Sequence, residues 1–235
     1  GDFVIMGGYI SFALFNAGFH PLLTLPLAMI LMFGFGWLVY VIIIRRVIDK
    51  DMFTSLLATF GLSLLMQQVI NLIFGPEVQT VDPDFKIYSA FDDFVTIPSI
   101  KILSLVLAAL LALGVVLFMK KSRLGQSIRA TAQDPRAARV MGINTDRVYA
   151  ITFALNAAIC GAAGVLVAMI WVIQPFYGIV YSIRSFAIVT ASGLGNLPAV
   201  IGAGFGLGLA EQYTGIVFGA EYQVASAVVL LLMVL

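Results

Sequence analysis

Four groups of residues in this chain have types and spacing that could do chemistry. Glu211, in "GLGLAEQY", is the clearest ionisable group inside an apolar run. A charge there is expensive and is a functional candidate: it either faces a polar pathway or snorkels to an interface near Phe218. Thr190, Ser192, Gly193 and Asn196 surround "SGLGNLP", where a short apolar piece is stopped by glycine and proline. Interrupted helices free backbone groups, and their ends can bind carboxylate or ammonium groups. Gly7 and Gly8, followed by Tyr9, are bare enough to line the same route. The fourth group, in "AQDPRAARVMGINTDRV", is polar and basic in a chain that is otherwise apolar.

Other chemistry is missing from the sequence. It has one histidine, His20, in a short turn before Pro21, and one cysteine, Cys160, beside Gly161. A single Cys and a single His give neither a disulfide framework nor metal-ligand spacing, so no metal site is expected. No nucleophile–base pair can be read in the apolar runs. No Gly-x-x-x-x-Gly-Lys-Ser/Thr loop occurs, so the chain has no P-loop for ATP. The expectation is a protein that is not an enzyme and holds no cofactor of its own.

The elements that must position these groups follow from composition. The 235 residues are 61% hydrophobic and 11% charged, with mean hydropathy +1.06. That is less than half the charge of an ordinary soluble domain, about 25%, so lipid is the expected solvent. The sequence predicts an all-α polytopic membrane protein, a single transmembrane domain over 1–235. Apolar runs at Phe3–Phe19, Leu22–Ile44, Ser55–Phe74, Ile102–Met119, Val148–Ile173, Ala199–Phe218 and Tyr222–Leu235 give about seven spans. Phe186–Ser192 is too short to cross and reads as a re-entrant or broken half-helix, the alternative being a helix start that bends. With Gly at position 1 and "VVLLLMVL" at the end, both termini read as cut.

The net charge of +1 says little, but its distribution orients the chain. The 45–53 loop carries Arg45, Arg46 and Lys50. The 120–147 segment carries Lys120, Lys121, Arg123, Arg129, Arg136, Arg139 and Arg147. Together they hold ten of the thirteen basic residues. The 75–100 segment carries Glu77, Asp82, Asp84, Asp92 and Asp93 against Lys86. The positive-inside rule places the two basic segments in the cytoplasm and 75–100 outside. No lysine or arginine follows Arg184, so charge leaves the last third unoriented. "FKIYSAF" and "FVTIPS" are rich in strand formers and suggest a small hairpin, with a plain loop as the alternative.

Within the basic segment, Asp134 before Pro135 is a helix start, an N-cap carboxylate followed by proline at the first helical position. Arg136, Ala137, Ala138, Arg139, Val140 and Met141 continue it, and Gly142 supplies a left-handed stop. Asn144 or Thr145 then offers an N-cap for the next span. A helix of about two turns is marginal alone and must lie against something. Ala138 and Met141, three apart, are expected to share the side that meets a partner, with Arg136 and Arg139 at its rim. Two readings stand: an interfacial anchor, or a docking helix that enters a groove on a cytoplasmic partner.

Small residues repeat at helical spacing: Ala157–Gly161 and Cys160–Gly164 in one span, and Gly202–Gly206–Ala210 and Gly204–Gly208 in another. They predict close helix packing. Gln67, Gln68, Asn71 and Asn156 read as interhelical bridges before substrate contacts.

"GQSIRATAQDPRAARVMGINTDRVYAITFALNAAICGAAGVL", with "GDFVIMGGY", "FGLSLLMQQVINLIFGP" and "SGLGNLPAVIGAGFGLGLAE", resembles permease subunits of branched-chain amino acid ABC importers, in order and over nearly the whole chain. The family often has two glycines where Ser192-Gly193 stand here and a small residue where Pro198 stands. The resemblance implies that Asp134, Pro135, Arg136, Ala137, Ala138, Arg139, Met141 and Gly142 form the cytoplasmic coupling helix, docking on an ATP-hydrolysing subunit. It implies a second permease subunit (a heterodimer), two ABC ATPases that bind the ATP and Mg, an extracytoplasmic substrate-binding protein, a prokaryotic inner-membrane location and no nucleic acid. The substrate would be a branched-chain or related small amino acid, with urea or a short amide as the alternative. The rival class is an ATP-independent secondary transporter or channel, which would be expected to place ion-coupling carboxylates in mid-span.

Overall fold

The computed structural model describes residues 1–48, 50–80, 87–90, 95–193 and 195–234. Asp82, Asp84, Lys86, Asp92 and Asp93 of the acidic segment lie outside them. Two compact units divide the chain, one of Phe3–Pro175 and one of Gly1–Asp2 with Phe176–Leu235.

The first unit holds α1 (Asp2–Asn16, from Phe3 on), α2 (Pro21–Val39), a π-helical stretch (Tyr40–Ile44) running on into α3 (Arg45–Val47), α4 (Met52–Phe74), β1 (Ile87–Ala90), β2 (Val95–Pro98), α5 (Ser99–Lys121), α6 (Arg123–Gln133), α7 (Pro135–Val140) and α8 (Thr145–Ile170). Four helices among the described residues are long and apolar enough to cross a membrane: Leu23–Val47, Met52–Phe74, Ser99–Lys121 and Thr145–Ile170. α1 is apolar but has only 15 residues, short of the ~20 of a typical span. The strands pair antiparallel, Ile87 opposite Pro98 and Ala90 opposite Val95. Gln79 and Ile173 exchange backbone hydrogen bonds of 3.0 and 2.9 Å, tying the segment after α4 to the end of α8.

α8 is the hub of this unit. Ala150, Ala154, Ala157, Ala158, Gly161, Ala162, Gly164, Val165 and Ala168 are all buried, and α2 packs along this face. Without lipid-excluded bulk to bury, helices in a bilayer associate by close approach and van der Waals contact. A Cβ at Gly161 would stand 2.9 Å from Met32 Cβ, and one at Gly7 would stand 2.6 Å from the Gly161 Cα. Two apolar clusters complete the packing: Ala28, Val165 and Met169, with Ile10, Leu25 and Ile100 against them; and Val39, Leu62 and Met66, with Phe3, Phe35 and Phe153 among their neighbours. Phe3 meets Phe35 and Phe153 at ring distances of 5.9 and 5.8 Å.

The second unit holds α9 (Gly178–Ser192), α10 (Leu197–Val217) and α11 (Gln223–Val234), each packed on the other two. The expected short piece Phe186–Ser192 is thus the second half of a 15-residue helix that begins at Gly178. It ends as expected: Gly193 and Gly195 have φ of 77° and 92°, backbone that side chains with a Cβ rarely adopt. Helical packing at Gly202 and Gly206 is not found among the described residues. A Cβ at either would meet nothing within 4 Å.

Candidate functional site

The basic segment folds as three helices, each started by its own cap. Ser122 Oγ accepts from the Gly125 N–H at 2.8 Å and starts α6, a helix beyond those expected from the sequence. Asp134 Oδ1 accepts from the N–H groups of Arg136 (2.8 Å) and Ala137 (3.1 Å) and starts α7, with Pro135 behind it as anticipated. Asn144 Oδ1 accepts from the Arg147 N–H at 3.1 Å and starts α8. These bonds satisfy amide groups that a helix N-terminus leaves without partners. At the far end of α7, Gly142 has φ 86°. There Gly142 and Ile143 donate to the carbonyls of Arg139 and Ala138, each at 3.0 Å, satisfying carbonyls at the end of the helix.

α7 packs on both α6 and α8. Its inward residue is Ala138, only 4% exposed, while Val140 and Met141 are 87% and 81% exposed. This corrects the expectation that Ala138 and Met141 share an outward side. Met141 is the C-cap, with ψ near 6°, so helical spacing has already ended there. Arg139 is not a free rim charge. Its Nε donates to Thr145 Oγ1 at 2.6 Å and its Nη2 to Asp146 Oδ1 at 3.3 Å, joining α7 to the first turn of α8. Arg129 donates to the Met119 carbonyl and ties α6 back to α5. Arg136 and Ala137 stay exposed.

The apolar-region candidates separate into the two units. Gly7 and Gly8 face α8 rather than open space: Gly8 would place a Cβ 3.3 Å from the Gly164 carbonyl oxygen. Tyr9 is fully buried, its ring 4.9 Å from that of Phe74. Its hydroxyl, and Oδ1 of Asn71 one turn before Phe74, are buried with no hydrogen-bond partner among the described residues. Gln67 donates to Ser63 Oγ on its own helix at 3.3 Å.

At the break of the second unit the polar groups serve the helix ends. Thr190 and Ser192 donate to the carbonyls of Phe186 and Val189. Asn196 Oδ1 accepts from the Ala199 N–H at 3.3 Å and caps α10, with Pro198 in its first turn. Glu211 has a partner the sequence reading did not find: Arg184 Nε donates to its Oε1 at 2.8 Å, with the two side chains 28% and 17% exposed. The guanidinium also lies 5.8 Å from the Tyr181 ring centroid. The two residues are 27 apart on different helices, so no periodicity joins them. The available signal was that the last cation in the sequence is followed by one in-span acid.

The described residues thus hold a capped basic helix, α7, in the first unit and, in the second, an ion pair between two apolar helices, α9 and α10. A family model described as the permease component of branched-chain amino acid transport systems matches residues 1–235. The chain belongs to this family. It is 30% identical to the high-affinity branched-chain amino acid transport system permease protein BraD of Pseudomonas aeruginosa, covering 100% of this chain and 81% of that one. It is 28% identical to the corresponding LivH protein of Salmonella typhimurium, with the same coverage. A probable LivH of Methanocaldococcus jannaschii is 24% identical over 100% of this chain and 78% of its own. No solved structure matches. The permease is a membrane protein with several apolar helices, as the sequence anticipated.

Proposed function

We propose that this permease subunit moves branched-chain or related small amino acids inward across a prokaryotic inner membrane, using ATP hydrolysed by separate chains. α1, α10 and α11 would complete seven spans with the four clear ones. The 45–53 and 120–147 segments would face the cytoplasm and 75–100 the outside. A second permease subunit, two ATPases holding ATP and Mg, and an extracytoplasmic binding protein would complete the importer.

The observation that carries this reading is α7. It is capped at both ends, wedged between α6 and α8, and presents Val140 and Met141 outward. Two large apolar side chains on a basic loop are costly to leave in water and suit a groove on a partner. Pairing of Glu211 with Arg184 also favours the importer over an ion-driven carrier, because it leaves no lone mid-span carboxylate among the described residues to bind a coupling ion. The test is ATPase co-purification in detergent. Met141→Glu should weaken it at least about tenfold, the effect of ~1.4 kcal/mol, with the permease still folded. Ala138→Glu should instead unfold the α6–α8 corner, since an unpaired buried charge costs about 3 kcal/mol or more. Retention of the ATPase at the parent ratio by Met141→Glu would make α7 an interfacial anchor and defeat the reading.

A further inference from the structure

The Arg184–Glu211 pair is poorly suited to being only a fastener. Charges among apolar helices are expensive, and a buried ion pair is often replaced by apolar groups at no loss of stability. The contact itself is made at one point. Only Nε and Oε1 are joined, and the remaining guanidinium nitrogens and Oε2 take no other hydrogen bond among the described residues. That leaves free the forked edge of an arginine, which matches a carboxylate with two parallel hydrogen bonds, and a carboxylate oxygen able to accept from an ammonium.

The surroundings add a second element. Gly204, Gly208 and Glu211 follow one another at spacings of four and three, so they share one face of α10. Helical side chains lean toward the N-terminus, which carries Glu211 over the turn of Gly208. A Cβ at Gly208 would meet nothing within 4 Å, and one at Gly204 would meet only Ile188 Cδ1, at 3.8 Å. Ile188 lies one turn beyond Arg184 on α9. The pair therefore stands at the head of an open glycine face of α10, with Ile188 of α9 beside it.

We propose that Arg184 and Glu211 bind the two charged ends of a zwitterionic α-amino acid, with its aliphatic side chain lying over Gly204 and Gly208. The guanidinium takes the α-carboxylate, the Glu211 carboxylate takes the α-ammonium, and the direct bond between them opens to admit the solute. A neutral pair receiving a neutral zwitterion keeps the site uncharged throughout, which is the least costly arrangement in a low dielectric. The site rests on the transport reading above and assigns the residues that hold its solute.

The test uses the assembled importer in liposomes, with its ATPases and binding protein, and radiolabelled leucine. The double variant Arg184→Gln/Glu211→Gln removes both charges without stranding either. It should lower leucine uptake at least about tenfold, the worth of one charge-assisted hydrogen bond, while ATP hydrolysis stimulated by the loaded binding protein persists. The swap Arg184→Glu/Glu211→Arg keeps an ion pair, and so the assembly, but reverses the site; it too should fail to transport. Gly208→Val should reduce uptake of leucine more than that of alanine. Uptake within twofold of the parent by the double variant or by the swap would overturn the site and leave the transport reading standing. A parent importer that accumulates no aliphatic amino acid would overturn both.

Discussion

α8 and α10 carry the same pattern of small residues at helical spacing and put it in opposite surroundings. In α8 the stripe is filled. Gly164 sits so close to α1 that an added Cβ would lie 2.6 Å from the Gly8 nitrogen and against the Val4 carbonyl oxygen, while Gly161 faces Met32. In α10, Gly202, Gly206 and Gly208 face space that no described atom of the chain occupies within 4 Å. Spacing of this kind shows that a helix permits close approach; it does not show what approaches. Charge separates the two cases. α8 has no ionisable residue between Arg147 and its end apart from Tyr149 and Cys160, and its stripe is given to packing. α10 has Glu211 on the face of Gly204 and Gly208, paired to a neighbouring helix, with Gly202 and Gly206 on its other side.

One methyl group placed at three of these positions breaks or sharpens the contrast. Gly164→Ala should have the largest effect. The added carbon meets backbone, which cannot rotate away, so the cost is about 3 kcal/mol or more, visible as a lower melting temperature in detergent and reduced monodisperse yield. Gly161→Ala meets Cβ and Cγ of the fully buried Met32, the fixed base of that side chain, and comes within 3.2 Å of the Ala28 carbonyl oxygen. A loss of about 2 kcal/mol is expected, part of the overpacking being offset by the better helix propensity of alanine. Gly206→Ala should have the smallest effect and the opposite sign, stabilising by up to about 1 kcal/mol because propensity acts with nothing opposing it. Melting curves of the three purified variants decide the matter. A destabilised Gly206→Ala would mean that α10 is as closely packed as α8, and the contrast would be lost.

These cases also show how much could be read before the structure. The long spans were legible because twenty apolar residues leave few alternatives in lipid. The limits of α7 were legible because its caps are local chemistry: Asp134, Pro135 and Gly142 act within three residues of themselves. Which side of α7 faces out was not. That depends on α6, which starts at Ser122, and on Met141 leaving the helical path. Burial of Gly7 and Gly8 against α8 depends on two helices about 150 residues apart in sequence, and the Arg184–Glu211 bond on two helices with a break between them. Single-helix periodicity contains no information about such partners.

The closure of α7 has a mechanical consequence. Its first amides are held by Asp134 and its last carbonyls by Gly142 and Ile143, and Arg139 bonds it to Thr145 and Asp146 at the foot of α8. A force applied to Val140 and Met141 therefore finds no slack loop to stretch. It passes into α8, a rod of 26 residues, about 39 Å at 1.5 Å per residue. The small-residue face of that rod lets α2 lie close along it. Helices in such close contact shift together, so a displacement at the foot of α8 carries α2 with it.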